Sequence, residues 1–271
     1  TPEKTDNYLY NATWHDRLDS YNGVSIEYDE SGNPVNYMGK AMTWQGRKAI
    51  SIDGVTMQYD YNGKRLCKGD KKYFWQGDTL KYEYDNNGYI YYYHDESGVC
   101  GMCVNDTEYY FRKNIFGDVV GIYDLEGNML CKYTYDAWGK HTITDAQGKT
   151  VTAENIGNKN PYRYRGYYYD TEFELYYLQS RYYDPETGRF INADDVSYLD
   201  PQTIGGLNLF AYCNNNPMMY TDPLGTSIQN MLTFFEYIFT GFSFVYKNFA
   251  QMVQGFRKVP RGWSKRQFHR W

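Results

Sequence analysis

Residues 26–32 read Ile-Glu-Tyr-Asp-Glu-Ser-Gly, and the last five of them form a pattern, Tyr-Asp-x-x-Gly, that recurs along the chain. The five copies keep this internal spacing although they start 31, 25, 39 and 12 residues apart. An Asp at the first position of a turn caps it through the carboxylate, and a Gly at the fourth position adopts the positive φ that closes it. Each copy is therefore predicted to be a hairpin turn, with the glycines Gly32, Gly63, Gly88, Gly127 and Gly139.

The sequence around these turns predicts strands. Apolar and polar residues alternate before the turns, as in Ile26-Glu27-Tyr28, so every second side chain faces the same side of a strand. Tyr is the commonest residue, with 33 copies, and aromatic residues make up 20% of the chain. This composition favours β-structure over a disordered chain or a helical bundle. Because one hairpin alone is marginally stable, we expect the hairpins to pair into a winding sheet.

Charge is unevenly distributed along the 271 residues, whose net charge is −5. Residues 225–271 hold seven Lys/Arg residues and one acid, Glu236, so the rest of the chain is acidic. The change predicts a boundary near residue 225 and argues against nucleic-acid binding by residues 1–225. The chain contains no run of 18 apolar residues and does not begin with Met. We expect a piece of a longer polypeptide without a simple membrane span.

The cysteine and histidine residues do not form a recognisable site. Cys100 and Cys103 are a lone Cys-x-x-Cys pair, whereas a tetrahedral zinc site needs four ligands. The four His residues are scattered. We therefore predict no metal and no cofactor, and favour two thiols in or beside a strand. A redox or metal role of the pair is the less favoured alternative.

Three longer stretches are more specific than the short repeats. They are YFRKNIFGDVVGIYDLEGNMLCKYTYDAWG (110–139), YRYRGYYYDTEFELYYLQSRYYDPETGRFINADD (162–195) and GGLNLFAYCNNNPMMYTDPLG (205–225). They resemble the YD repeats and the repeat-associated core domain of the Rhs family, which in turn resemble the extracellular shell of teneurins. One departure is Phe173-Glu174, where the family usually has Thr-Gly.

The resemblance implies a mainly β fold, a spiralling sheet of YD-repeat β-hairpins that forms part of a hollow shell, followed by a C-terminal amphipathic helix. It divides the chain into a YD-repeat segment (1–160), the core domain (161–225) and a variable C-terminal segment (226–271). Such a shell encapsulates and presents a toxin cargo in bacterial competition. The implied location is secreted or associated with the cell surface or cell wall, as part of a longer precursor.

The resemblance also implies an internal aspartyl protease that frees the C-terminal cargo. Its two acids correspond to Asp194 and Asp222, and the cleaved bond would join Thr226 and Ser227, with Thr226 where the family commonly has Leu. One carboxylate would be ionised and activate water, while the other would stay protonated.

The residues themselves leave other interpretations open. Asp222-Pro-Leu-Gly225 also has the sequence of a type I turn, which needs no catalytic role. Asp195 and Asp200 are rival partners for the second carboxylate.

The C-terminal segment has a different periodicity. Apolar residues from Ile228 to Phe256 step by four and three, which predicts a helix with one apolar face. We favour packing against the shell wall, with membrane contact through residues 228–256 or binding of a partner as alternatives. The expected partners are the chain's own C-terminal cargo segment and an immunity protein.

A function of another class is a cell-surface adhesion or glycan-binding module, in which exposed Tyr and Trp rings stack on sugars. The direction of the aromatic side chains distinguishes the two functions. An inward lining favours a shell, and an outward patch favours adhesion.

Overall fold

The computed structural model describes residues 5–198, 202 and 206–230. In this part of the chain sixteen strands form one sheet in which every strand pairs with its neighbours in sequence. Their register is antiparallel throughout, as in the pairing of Tyr82 with Tyr91 between neighbouring strands. The predicted fold, mainly β with a sheet built from successive hairpins, is confirmed.

The strands of the large sheet follow one another at short intervals. In chain order they are β1 Tyr8–Tyr10, β2 Leu18–Tyr21, β3 Val24–Tyr28, β4 Pro34–Tyr37, β5 Lys40–Gln45, β6 Lys48–Ile52, β7 Val55–Tyr59, β8 Arg65–Lys68, β9 Lys71–Gln76, β10 Thr79–Asp85, β11 Gly88–Asp95, β12 Gly98–Val104, β13 Thr107–Lys113, β14 Val119–Tyr123, β15 Met129–Tyr135 and β16 His141–Thr144.

A smaller layer of short elements follows the large sheet. It contains a four-stranded sheet and a two-stranded sheet. Its elements are helix α1 Ile156–Lys159, the 3-10 turns Tyr164–Gly166, Val196–Tyr198 and Cys213–Asn215, and the strands β17 Tyr168–Asp170, β18 Leu175–Tyr177, β19 Tyr182–Asp184, β20 Arg189–Phe190, β21 Tyr220–Thr221 and β22 Gln229–Asn230.

The C-terminal helix falls mostly outside the described residues. Residues 228–230, at its predicted start, are not helical, and Gln229–Asn230 forms the two-stranded sheet with Tyr220–Thr221. Residues 231–271 lie beyond the described part of the chain, and so does the apolar stripe from 231 to 256. Among the described helices, none has the length and apolar character needed to cross a bilayer. The three predicted domain boundaries remain predictions.

Most of the Tyr-Asp-x-x-Gly copies share one turn geometry. In the first copy the N–H of Gly32 donates to the carbonyl of Asp29, and the Asp29 carboxylate accepts from the N–H groups of Ser31 and Asn33. The turn at Gly88 differs, because Gly88 is already paired with Asp85 in the β10–β11 ladder. All five predicted glycines have positive φ, from 79° at Gly32 to 134° at Gly88.

Two further turns of this geometry escaped the sequence pattern. The N–H of Gly117 donates to the carbonyl of Asn114, and the N–H of Gly148 donates to the carbonyl of Asp145. Neither turn is preceded by Tyr. The side chain that caps the turn is therefore the general requirement, and the preceding Tyr is not.

A repeat of 31 residues underlies the first part of the sheet. Strands β3–β6 and β7–β10 are related by this offset, since β3 begins at Val24 and β7 at Val55. The order of buried and exposed residues is the same in β4 and β8 and the same in β5 and β9. The indole N–H of Trp44 donates to the carbonyl of Pro34, and that of Trp75 to the carbonyl of Arg65.

Aromatic side chains cover both faces of the sheet. On the inner face, which packs on the core layer, the ring of Tyr92 meets that of Tyr162 with centroids 4.8 Å apart. On the outer face, Phe74 stacks on Tyr82 at 4.9 Å, and the Phe74 side chain is 50% exposed. The inward and outward arrangements that were expected to separate two functions therefore occur together.

Buried charges join the second repeat to the core layer. Asp170 is fully buried, and its carboxylate contacts Nη1 of Arg65 at 2.5 Å and the ammonium group of Lys68. Burial alone would raise the pKa of Asp170, but the two cations outweigh it and lower the pKa. An offset of 31 residues relates Arg65 to Pro34 and Lys68 to Tyr37, so the first repeat has no cation at these positions.

The first repeat holds the core through a neutral contact instead. Tyr37 donates its hydroxyl to Oδ2 of Asp184 over 2.6 Å, and Thr187 donates to the same oxygen over 3.1 Å. Burial raises the pKa of Asp184 above its ordinary value. Asp170 and Asp184 each end a Tyr-Tyr-Asp stretch, so two similar turns of the core have opposite electrostatic environments.

Replacement of Asp170 by Asn should destabilise the protein far more than replacement of Asp184 by Asn. The first change leaves Arg65 and Lys68 buried without a counter-charge and should cost about 3–5 kcal/mol, whereas the second keeps an acceptor for Tyr37 and should cost about 1 kcal/mol or less. Urea unfolding at neutral pH measures both. Equal losses would contradict the assignment.

The same pair of variants should differ in pH dependence. The pKa of Asp170 is lowered on folding, so its contribution to stability is present at neutral pH and lost as the pH falls through the folded-state value. Wild type and Asp184→Asn should therefore lose stability on acidification more steeply than Asp170→Asn. Unfolding midpoints measured as a function of pH test this slope.

Substitution of two turn glycines separates backbone conformation from crowding. Gly127 and Gly139 have φ of 85° and 90°, but a Cβ at Gly139 would lie 2.6 Å from the Tyr164 ring, whereas one at Gly127 would meet nothing within 4 Å. Gly127→Ala should cost about 1 kcal/mol through φ alone. Gly139→Ala should cost about 1–3 kcal/mol more through overpacking. Denaturant titration checks the order, and a similar loss for both would exclude crowding.

The departure at Phe173-Glu174 places strain in one core turn. Glu174 has φ of 61° and donates its N–H to the carbonyl of Asp170, as Gly188, with φ of 70°, does to Asp184. A non-glycine residue is disfavoured in this conformation. Glu174→Gly should therefore stabilise the chain by about 0.5–1 kcal/mol in a thermal melt, and a lower melting temperature would refute the strain.

Candidate functional site

Asp194 and Asp222, the predicted catalytic acids, meet at the guanidinium group of Arg181. Nη2 of Arg181 lies 2.8 Å from Oδ2 of Asp194 and 3.5 Å from Oδ2 of Asp222. All three side chains are 10% exposed or less. The fold thus brings two acids that are 28 residues apart in sequence to one nitrogen atom.

Arg181 is held in place on several sides. Its Nη1 donates to the carbonyl of Leu209 over 3.0 Å, and its guanidinium carbon lies 3.6 Å from the centroid of the Phe190 ring. Its Nε donates to the carbonyl of Gly225 over 2.5 Å. One cation therefore connects both acids to the chain that immediately precedes the predicted cleavage site.

The second acid contacts that chain segment directly. Oδ1 of Asp222 accepts the N–H of Thr226 over 3.0 Å and the N–H of Ser227 over 3.1 Å. The hydroxyl of Ser180 donates to the carbonyl of Gly225 over 2.8 Å. The carboxylate caps a turn, as the structural interpretation of Asp222-Pro-Leu-Gly225 requires, and lies beside both residues of the predicted scissile bond.

Burial determines the protonation tendency of the two acids. Desolvation raises the pKa of Asp194 and of Asp222, and the charge of Arg181 offsets this only in part, so both values lie above the ordinary range. The charge of Asp194 raises the pKa of Asp222 further. Two nearby acids with raised pKa values titrate as a pair, and one proton is retained more readily than on isolated carboxyls.

The rival acids do not join this cluster in the described structure. Asp195 is 44% exposed, and its Oδ2 lies 3.2 Å from Nη2 of Arg47. The backbone N–H of Ser197 lowers the pKa of Asp195, so this acid is held ionised at the surface. Asp200 lies outside the described residues.

The sequence did not single out Arg181. It stands between two tyrosine-rich strands, and neither a repeat nor a charge pattern marks it. The available signal was indirect, since two buried carboxylates need a nearby cation to remain compatible with folding. That signal appears only after the acids are known to be buried.

The thiol pair Cys100 and Cys103 lies in strand β12, as predicted. Both side chains are half-buried, and desolvation raises the pKa of Cys100 to about 11 and that of Cys103 above its ordinary value. Such thiols stay protonated at neutral pH and are poor nucleophiles. Among the described residues, no cluster of three or more His, Cys, Asp or Glu side chains has the arrangement of a metal site.

Comparisons with known proteins identify relatives of most of the chain. No family model matches it. The chain is 36% identical over 241 residues to the tRNA3(Ser)-specific nuclease WapA of Bacillus spizizenii, a match that covers 82% of the chain and 10% of the nuclease. It is 33% identical over 117 residues to the double-stranded DNA deaminase toxin A of Burkholderia cenocepacia, which covers 43% of the chain and 7% of that toxin.

Solved structures share the fold. The crystal structure of TcdB2-TccC3-TEV matches with a TM-score of 0.51 and 18% identity, over 81% of the chain and 13% of the other. With the successive hairpins and the buried core turns, this likeness defines a segment of a YD-repeat β-shell. The chain belongs to the Rhs/YD-repeat family, and it spans 10% of the length of the WapA nuclease.

Proposed function

We propose that the chain is the C-terminal portion of an Rhs-type shell that encapsulates and presents a toxin cargo in bacterial competition. We further propose that it cleaves itself between Thr226 and Ser227. The observation that carries the second proposal is the meeting of Asp194 and Asp222 at Arg181, with Asp222 in hydrogen-bond contact with both residues of the bond.

The positions of the acids suggest a role for each in cleavage. The backbone nitrogen of Ser227 must gain a proton when its bond to Thr226 breaks, and Oδ1 of Asp222 lies 3.1 Å from it. Protonated Asp222 is thus placed to act as the general acid, and ionised Asp194 would activate the attacking water. Arg181 and Ser180 hold the Gly225 carbonyl, which fixes the chain before the bond.

The comparison with relatives supports a common role for the matched segment. WapA is named as a tRNA nuclease and the Burkholderia relative as a DNA deaminase toxin, yet both contain sequence similar to this chain. A segment found beside two different activities is better suited to housing and release than to either chemistry. Nucleic-acid binding by residues 1–225 is accordingly not part of the proposal.

The partners and location follow from this role. The proposed partners are the chain's own C-terminal cargo segment and an immunity protein, with membrane contact through residues 228–256 as a further route of action. The proposed location is secreted or cell-surface associated, as part of a longer precursor.

The cleavage proposal predicts two fragments that depend on both acids. After expression, intact-mass spectrometry of wild type should show an N-terminal fragment ending at Thr226 and a basic peptide starting at Ser227. Asp194→Asn and Asp222→Asn should remain whole, because an amide keeps the shape of the side chain but cannot exchange a proton.

Two controls separate catalysis from structure. Asp195→Asn, at the exposed neighbouring acid, should cleave like wild type. Thr226→Leu restores the residue usual in the family and should cleave at least as fast as wild type. Cleavage of either Asn variant at the same bond would remove that acid from the mechanism, and a fragment shorter by one threonine would move the bond to Gly225–Thr226.

A further inference from the structure

A cleft of about 450 Å³ lies where the first strand of the sheet approaches its last hairpin. The core turn 185–189 joins the two sides. The hydroxyl of Tyr8, in β1, donates to the carbonyl of Thr187 over 3.4 Å, and Lys140, in the β15–β16 turn, forms an ion pair with Glu186. The cleft is therefore built from three separate elements and is distinct from the Arg181 cluster.

Aromatic rings form two of its walls. Tyr8 and Tyr10 lie on one face of β1 with their rings parallel to within 9° and their centroids 6.3 Å apart. These side chains are 40% and 41% exposed. Opposite them, the half-buried Trp138 packs its six-membered ring over Gly188, where a Cβ would come within 2.9 Å of it.

Charged and amide groups of both signs surround these rings. The guanidinium group of Arg189 lies over the ring of Tyr10 at 5.2 Å, and its Nη1 donates to the Tyr10 hydroxyl over 3.3 Å. Asp136 uses Oδ1 to cap its own turn, and its carboxylate lines the cleft together with the exposed amide of Asn215. Hydrogen-bond donors and acceptors therefore alternate around the aromatic walls.

We propose that this cleft binds an oligosaccharide. A sugar ring has apolar C–H faces that pack on aromatic rings, and its rim of hydroxyl groups can pair with carboxylate, guanidinium and amide groups alike. A phosphorylated ligand would meet the carboxylates of Asp6, Asp136 and Glu186. A wholly apolar ligand would desolvate these charges without pairing them. The volume suits two or three sugar rings rather than a folded partner.

The test titrates the 271-residue chain with chitotetraose, cellotetraose and maltotetraose. Isothermal titration calorimetry should detect binding of at least one of them. Trp138→Ala and Tyr10→Ala should each weaken that binding by about tenfold or more, since each removes a stacking surface. Phe74→Ala is the matched control, because it removes an exposed ring from the outer face of the sheet.

Each outcome decides the proposal. Loss of binding in the two cleft variants with a change of less than about twofold in Phe74→Ala supports it. No binding of any of the three sugars to wild type, or binding that only Phe74→Ala weakens, overturns it. Because Trp138 packs on Gly188, its variant is first checked by thermal unfolding, and the decision passes to the exposed Tyr10 if Trp138→Ala does not fold.

Discussion

A buried carboxylate that cannot reach water governs how the core layer lies on the sheet. Asp170 has no exposed surface, so the core can occupy its place only where Arg65 and Lys68 approach it from β8. Moving the pairing by one residue would turn both cations to the opposite face and leave three charges buried without partners. The ion pair thereby selects one register, and the neighbouring contact of Tyr37 with Asp184 adds directional but neutral support.

The hairpins could be predicted from sequence because their determinants are local. Asp or Asn caps the turn and Gly accepts the positive φ, and both features are visible within five residues. The 31-residue repeat was invisible because its buried positions exchange apolar for charged residues, such as Ile52 for Glu83. A polarity pattern assigns charged residues to the surface. Only the partner on the core layer reveals that they are inside.

The candidate site shows the same limit in a different form. A family resemblance named Asp194 and Asp222, but the sequence alone made Asp222 equally suitable as a turn residue. In the structure, its carboxylate caps Thr226 and Ser227 and also lies at Arg181, so one side chain fulfils both descriptions. Such a choice depends on contacts between distant segments, which local propensity does not encode.

The strand order of the large sheet follows the order of the chain without a crossover. Each strand therefore finds its partner within a few residues, and no strand must wait for one synthesised much later. Contacts of this kind have low contact order and form quickly. The sheet can grow in the direction in which the polypeptide emerges from the ribosome or crosses a membrane. The core layer, which makes the distant contacts, then folds last and acts as a checkpoint for a correctly wound wall.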